Sequence, residues 1–241
     1  MPLNDSTLDA AVSTPCATDG MILVRRVLIV DEHPLVCEGL RRIVEHECDL
    51  TVCGEAGTAR AARAMTKELD PDVVVVDIGL ERVDGIDLVR DLRIHHPQLR
   101  ILVLSAYDEG IYAERLLSVG ANGYVPKAAD SARFLSALRR VLDGQVSVSE
   151  SIGSNMIQKL TTGGGRKTVN PVERLTTREL QILDMIGRGM STRETAHALS
   201  LSIKTVESHR QRMRSKLHLE SGSHLLRFAV LFHSDSLSRQ A

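Results

Sequence analysis

Tryptophan is absent from this chain of 241 residues, and there are only three Phe and three Tyr. The 43 % hydrophobic share therefore rests almost entirely on aliphatic side chains. Long apolar runs are missing too. A membrane span needs ~20 mostly apolar residues, whereas the longest runs here, such as residues 73–76, are far shorter, so no transmembrane segment is expected. The first twenty residues hold no Lys or Arg and no continuous apolar core, so they do not form a secretory signal. Residues 1–23 are rich in Ser, Thr, Asp and Ala and read as a flexible tail, with Met21 available as a second start. The four cysteines, Cys16, Cys37, Cys48 and Cys53, show neither C-x-x-C pairing nor zinc-finger spacing with histidine. Free thiols among apolar neighbours behave as small hydrophobes. A reduced, cytoplasmic protein is expected.

The near-neutral total conceals an asymmetry. Residues 1–145 carry 16 Lys and Arg against 23 Asp and Glu; residues 146–241 carry 14 against 8. An acidic module is joined to a basic one, and a polyanion is the expected partner of the second.

Between residues 24 and 145 short apolar runs alternate with helical periodicity. Strands are expected at 27–30, 50–53, 73–76, 101–104 and 124–125. After each comes a stretch with apolar residues at helical spacing, such as Val36, Leu40, Ile43 and Val44 after the first. Apolar strands without strict alternation, each followed by a helix, predict a doubly wound, five-stranded parallel sheet covered on both faces. Ligands of such sheets sit beyond the carboxyl ends of the strands. Those ends carry Asp31 and Glu32, Asp77, Ser105 and Lys127. Three converging carboxylates need a cation between them, and oxygen donors favour a hard ion such as Mg²⁺. A carboxylate facing Mg²⁺ and a lysine is well placed to accept a phosphoryl group.

The stretches Val27-Leu28-Ile29-Val30-Asp31-Glu32-His33-Pro34, Asp72-Val73-Val74-Val75-Val76-Asp77, Val103-Leu104-Ser105-Ala106 and Gly123-Tyr124-Val125-Pro126-Lys127 resemble the receiver domain of two-component response regulators. The likeness spans residues 24–143 and implies a flavodoxin-like fold, with the domain drawn at 24–145. It implies Asp77 as phosphoacceptor, with Asp31, Glu32, Asp77 and the Gly79 carbonyl around Mg²⁺. It further implies Lys127 as the counter-charge of the phosphate, and Ser105 with Tyr124 as a switch pair. The added phosphoryl charge is expected to draw Ser105 toward Asp77, with Tyr124 rotating inward into the vacated space. Two departures stand out: Glu32 replaces the family's usual Asp, and Glu81 stands where Pro is common.

Residues 146–172 read as a linker, with a short helix at 156–160 and a flexible tether around Gly163-Gly164-Gly165. No apolar strand precedes the triple glycine, so it does not read as a phosphate-cradling loop. Beyond it, Thr176-x-x-Glu179 and Ser191-x-x-Glu194 are capping boxes, each opening a helix. Ser202 caps a third helix reaching about Leu217. On this third helix Ile203, Val206, Met213 and Leu217 form an apolar side. Lys204, Glu207, Ser208 and Gln211 form a separate polar stripe at i, i+3, i+4 and i+7. A short helix, a tight turn and a basic helix with a polar face fit a helix-turn-helix.

Residues 175–217 also resemble the LuxR-type helix-turn-helix, so that most of the chain is similar to response regulators of the NarL/FixJ type. The small all-α domain is drawn at 173–238. This resemblance implies Lys204, Glu207, Ser208 and Gln211 toward base edges, with Thr205, His209, Arg210 and Lys216 near phosphates or the helix interior. A final helix at 223–233, with Leu225, Leu226, Ala229, Val230 and Phe232, is a candidate dimer surface. His33 is expected to pack near the acidic pair rather than to ligate metal, and His95 and His96 to lie on the surface.

The function expected is a transcription regulator and not an enzyme, with no catalytic residues. A sensor histidine kinase, or a phosphotransfer protein, would modify Asp77 in a Mg²⁺-dependent reaction and so promote binding of a homodimer to double-stranded DNA. Two alternatives compete: a DNA-binding protein whose receiver works unphosphorylated, and a Mg²⁺-dependent aspartyl-phosphate phosphohydrolase. Gly79 disfavours the hydrolase, because such enzymes carry a second acid two residues after the nucleophile.

Overall fold

The computed structural model describes residues 23–80, 85–161 and 171–238. Its first part alternates β1 (Arg25–Val30), α1 (Pro34–Glu45), β2 (Leu50–Ala56), α2 (Ala59–Leu69), β3 (Val73–Val76), α3 (Gly85–His95), β4 (Arg100–Ser105), α4 (Glu109–Ser118), β5 (Gly123–Pro126) and α5 (Ser131–Leu142). The strands form one parallel sheet in the order β2-β1-β3-β4-β5. Successive side chains of a strand point to opposite faces, and here both faces are buried. Leu28, Val30, Val74, Val76, Ile101 and Val103 face α2, α3 and α4. Val27, Ile29, Val73, Val75, Leu102 and Leu104 face α1 and α5.

All five expected strands are present, and β2 runs three residues further than its apolar run. Its pairing with β1 shifts register between Val27 and Leu28, where Val52 and Gly54 are the successive partners and Cys53 is the extra residue. A β-bulge of this kind leaves the extra residue unpaired and bends the strand locally. At Gly54 a Cβ would lie 2.5 Å from Met65 Cε, so any larger residue there would push the Met65 and Leu69 side chains aside.

After α5 the chain turns at Gly144, with φ of 81°, and enters α6 (Glu150–Thr161), a longer helix than the short one expected. The triple glycine and Glu81 lie outside the described residues. A 3-10 turn at Pro171–Arg174 leads into α7 (Thr177–Gly187), α8 (Thr192–Ala198), α9 (Ile203–Lys216) and α10 (Gly222–Ser238). Both expected capping boxes form: Thr176 with Glu179 and Ser191 with Glu194 each bond reciprocally. Ser202 caps α9 by accepting from the Thr205 amide. The core of this part brings together Leu180, Leu183, Val206, Met213, Leu225 and Ala229. Ile203 departs from the expectation. It is the first residue of α9 and is 43 % exposed, outside the apolar side that Val206 and Met213 form. Along α10, Leu225 and Ala229 are buried, whereas Leu226, Val230 and Leu231 face solvent.

Candidate functional site

Strand order reverses between β2-β1 and β1-β3, and the crevice at such a switch point is where open α/β sheets bind ligands. Asp31 and Asp77 leave the sheet there, directly after β1 and β3. Their amides are fixed by Ala56 O at 3.1 Å and Val30 O at 2.8 Å. Both residues are buried, 3 % and 5 % exposed. Lys127, just beyond β5, spans them: its Nζ lies 2.6 Å from Asp31 Oδ2 and 2.7 Å from Asp77 Oδ2. The other Asp77 oxygen accepts the Gly79 amide at 3.0 Å. Burial raises the Asp77 pKa, a push that Lys127 and the Gly79 amide oppose. Burial alone would lower the Lys127 pKa, but Asp77 and Asp31 outweigh it and the ammonium is held charged.

The expected metal ligands are not all gathered. The carboxylates of Asp31 and Asp77 share their surroundings with His33, the three donor atoms lying within 4.8 Å of one another, and Glu32 is not part of that group. His33 approaches Asp31 Oδ1 twice, through its amide and through Nδ1, each at 2.9 Å. The reason is local: Asp31 accepts from the residue two ahead, which draws the His33 ring over the pocket. Two buried carboxylates and the backbone after Asp77 still form a hard-oxygen set of the kind that fits Mg²⁺.

Ser105 ends β4 fully buried, and its Oγ accepts the Tyr107 amide at 3.2 Å. Tyr124 is already turned inward, 1 % exposed, with its hydroxyl donating to Tyr107 O at 2.6 Å. The expectation that it starts outside is therefore not what this structure holds. Burial pushes the Tyr124 phenol far up and that of Tyr107 to about 12, so both stay neutral donors.

The second cluster lies on α9. Lys204, Glu207 and Gln211 are exposed along one stripe. Ser208 is half-buried on the same stripe, its hydroxyl donating to Lys204 O at 2.9 Å. Thr205 Oγ1 is 2.8 Å from Ser202 Oγ, within the cap. Arg210 is half-buried at the flank. His209 turns inward, and its Nδ1 is shielded from solvent. Lys216 also points inward, with Nζ 2.6 Å from Glu179 Oε2 in a carboxylate only 2 % exposed. Of the four residues expected near phosphates or the helix interior, His209 and Lys216 thus turn inward, Lys216 with 35 % of its side chain still exposed.

Burial, then Arg212, lowers the His209 pKa, with Glu179 opposing and Arg178 and Lys216 reinforcing. The unfolded chain, where His titrates near ~6.5, therefore takes up the proton first as pH falls. Stability contributed by neutral His209 is present above that value and is lost as pH drops toward the lower folded value. Urea midpoints measured from neutral to mildly acidic pH should fall for the wild type, and His209→Gln should flatten that decline. An unchanged slope in the variant would show that His209 is not the group responsible.

The two parts meet at α4, where the Arg115 guanidinium donates to Val172 O and Leu175 O, each at 2.6 Å. This contact engages the entry to α7 and leaves the exposed stripe of α9 uncovered.

A lysine-bridged pair of aspartates at the switch point of a 2-1-3-4-5 sheet, followed by a capped helix-turn-helix, defines a receiver joined to an output domain. The chain belongs to the two-component response regulators of the NarL/FixJ type: residues 27–139 match the response regulator receiver domain and residues 173–229 match the bacterial regulatory proteins of the luxR family. It is 34 % identical over 217 residues to the response regulator UvrY of Escherichia coli, covering 89 % of this chain and 99 % of UvrY. Among solved structures it is similar to RcsB from Salmonella enterica serovar Typhimurium bound to promoter rprA in the presence of the phosphomimetic BeF3-. That match has a TM-score of 0.56 and 28 % identity over 86 % of this chain and 98 % of the other. A structure of two RcsB dimers bound to two parallel DNAs matches with a TM-score of 0.52 and 26 % identity, over 88 % and 98 % of the two chains. Among the described residues no helix is long and apolar enough to cross a membrane.

Proposed function

We propose that this protein is a transcription factor switched by phosphorylation of Asp77. The observation that carries the reading is Lys127, whose ammonium lies within 2.7 Å of a carboxylate on each side of the switch-point crevice. A phosphohistidine on a sensor kinase or phosphotransfer protein is the donor. An Asp77 oxygen attacks phosphorus, the phosphorus–oxygen bond forms as the phosphorus–nitrogen bond breaks, and the freed imidazole keeps its electron pair. Lys127 neutralises the incoming charge from one side. Asp31, Asp77 and the Gly79 carbonyl would hold Mg²⁺ on the other, with Glu32 reaching it only through a change from its place in this structure. The bound ion supplies charge neutralisation for the transferring group. Nothing in this pocket offers a second acid two residues after Asp77, where Gly79 stands, so the modified form persists as a signal rather than an enzyme intermediate. The setting is the cytoplasm, in keeping with Cys37, Cys48 and Cys53 as free thiols.

Phosphorylation adds about −1.5 to −2 charge and three strong acceptor oxygens. The Ser105 hydroxyl is the donor closest in sequence to that charge on β4, and Tyr124 packs behind it. Movement of this pair biases the receiver surface and, through it, a homodimer that places two copies of α9 in successive major grooves. The exposed apolar side of α10, Leu226 and Val230, is the candidate seam of that dimer. On DNA, Lys204, Glu207, Ser208 and Gln211 face base edges, and Thr205 and Arg210 lie toward phosphates. His209 and Lys216 support the helix from within.

Ser105→Ala tests the switch. The variant should still accept one phosphoryl group from a small phosphodonor but lose the gain in DNA affinity that follows in the wild type. A normal response by the variant would remove Ser105 from the path. Repeated turnover of the phosphodonor, instead of a single modification, would favour the phosphohydrolase.

A further inference from the structure

β5 is an edge strand of the sheet, and an edge strand leaves its outer N–H and C=O groups unpaired unless something covers them. Here the cover is the chain itself. Residues 145–149, just beyond the turn at Gly144, run parallel to β5 and bridge at Ser147 opposite Gly123. The Ser147 amide donates to Asn122 O at 3.0 Å, and Ser147 O accepts the Tyr124 amide at 2.8 Å. The fit demands glycine at 123, because a Cβ there would stand 2.8 Å from Ser147 O. Two further ties hold the segment. Arg140 donates to Val146 O at 3.2 Å, and the Ser149 amide donates to Glu109 Oε1 at 2.7 Å. Glu109 is the first residue of α4 and is nearly buried, with Arg133 of α5 3.5 Å from its other oxygen. Immediately after the segment comes α6, which packs on α4 through Ile152 and leads toward the second domain.

Tyr124 is therefore held from both ends. Its hydroxyl holds Tyr107 O, two residues before Glu109, and its amide holds Ser147 O. A shift of this side chain releases Tyr107 O and so loosens the start of α4, whose Glu109 holds the Ser149 amide, beside the β5 backbone that holds Ser147 O. We propose that residues 145–149 are a strap, bridged in parallel to β5 at Ser147, whose grip on β5 depends on Tyr124, and that the strap hands the state of the receiver to α6 and the DNA-binding domain. The hand-over to DNA rests on the Asp77 reading above; the dependence of the strap on Tyr124 does not.

Amide hydrogen exchange on the full-length chain tests the strap directly. The Ser147 and Ser149 amides should exchange at least about a hundredfold more slowly than unstructured references, as hydrogen-bonded amides do when opening is rare. Tyr124→Phe, which loses only the bond to Tyr107 O, should speed both by about tenfold while leaving β1 and β3 amides unchanged. Unprotected serine amides in the wild type, or equal exchange in the variant, would overturn the proposal. The output arm uses Ser147→Pro, which removes the bond to Asn122 O. With beryllofluoride as the phosphate mimic, this variant should bind the mimic as the wild type does but show less than a fifth of its gain in DNA affinity. A full gain overturns the hand-over. If Ser147→Pro fails to fold, the exchange measurements on the wild type and Tyr124→Phe decide alone. If the wild type itself takes no beryllofluoride, the Asp77 reading fails while the exchange arm still decides the strap.

Discussion

Asp77→Asn should reduce phosphoryl incorporation from a small donor to background, a loss of at least about a hundredfold and the largest effect expected of any single change in this protein. The substitution keeps size and shape, and an amide oxygen can still accept the Gly79 N–H now held at 3.0 Å. What it removes is the anionic oxygen that must form the bond to phosphorus, and catalysis of this transfer consists of positioning and charge and little else. Lys127 keeps one carboxylate partner in Asp31, so the pocket should remain folded, and circular dichroism should match the wild type. The wild-type product should be a single acyl phosphate, labile in acid and base and formed only when a divalent ion is supplied. In the metal-free pocket burial lifts the Asp77 pKa above the ordinary aspartate value of about 3.9, and a bound divalent ion opposes that push by favouring the carboxylate. Unchanged incorporation in Asp77→Asn would move the phosphoacceptor to another residue.

The pocket was legible in the sequence because buried strands of a parallel sheet are short apolar runs, and whatever ends such a run lies at the carboxyl edge. Asp31, Asp77, Ser105 and Lys127 could be placed by that rule alone, and the structure puts all four at strand ends. What spacing could not give is the direction of side chains beyond those ends. Glu32 and His33 are adjacent in sequence, and only the turn into α1 decides that His33 and not Glu32 leans over Asp31. Tyr124 likewise depends on a carbonyl at Tyr107, in a loop with no pattern of its own. The strap left no usable signal: Val146 and Val148 alternate with Ser147 and Ser149, but it is Ser147 that is buried and Val146 that faces solvent, so the apolar alternation points to the wrong face. Its shortness and its place in a polar stretch made it look like linker. In the second half, the capping boxes and the i, i+3, i+4, i+7 stripe marked helix starts and faces well. Periodicity did not distinguish Lys216 on the basic flank from Lys216 paired with Glu179, because that contact is made across three helices' worth of chain.

The Lys216–Glu179 pair changes how the DNA interface should be dissected. Gln211 is exposed on the stripe assigned to the groove, and glutamine pairs with adenine through two bonds in the major groove. Gln211→Ala should cost roughly 1–3 kcal/mol at one base pair of each half-site and little at other positions. Arg210 lies off that stripe, and as a phosphate anchor its loss should weaken every sequence alike and lower the salt slope by about one unit. Lys216→Ala should do neither of these first. It strands the Glu179 carboxylate, 2 % exposed, leaving that oxygen the Thr176 amide at 2.7 Å among the described residues. Exposed ion pairs are worth ~0–1 kcal/mol and broken buried ones ~3–5 kcal/mol, so this half-open pair should cost about 2 kcal/mol of domain stability. Binding measured across single-base operator variants, beside urea unfolding of the same proteins, separates the three. Because a dimer reads two half-sites, the Gln211→Ala effect should appear twice, symmetrically about the operator centre. Uniform weakening by Gln211→Ala would rotate the reading face away from this stripe, and full stability of Lys216→Ala would return that lysine to the surface and to the phosphates.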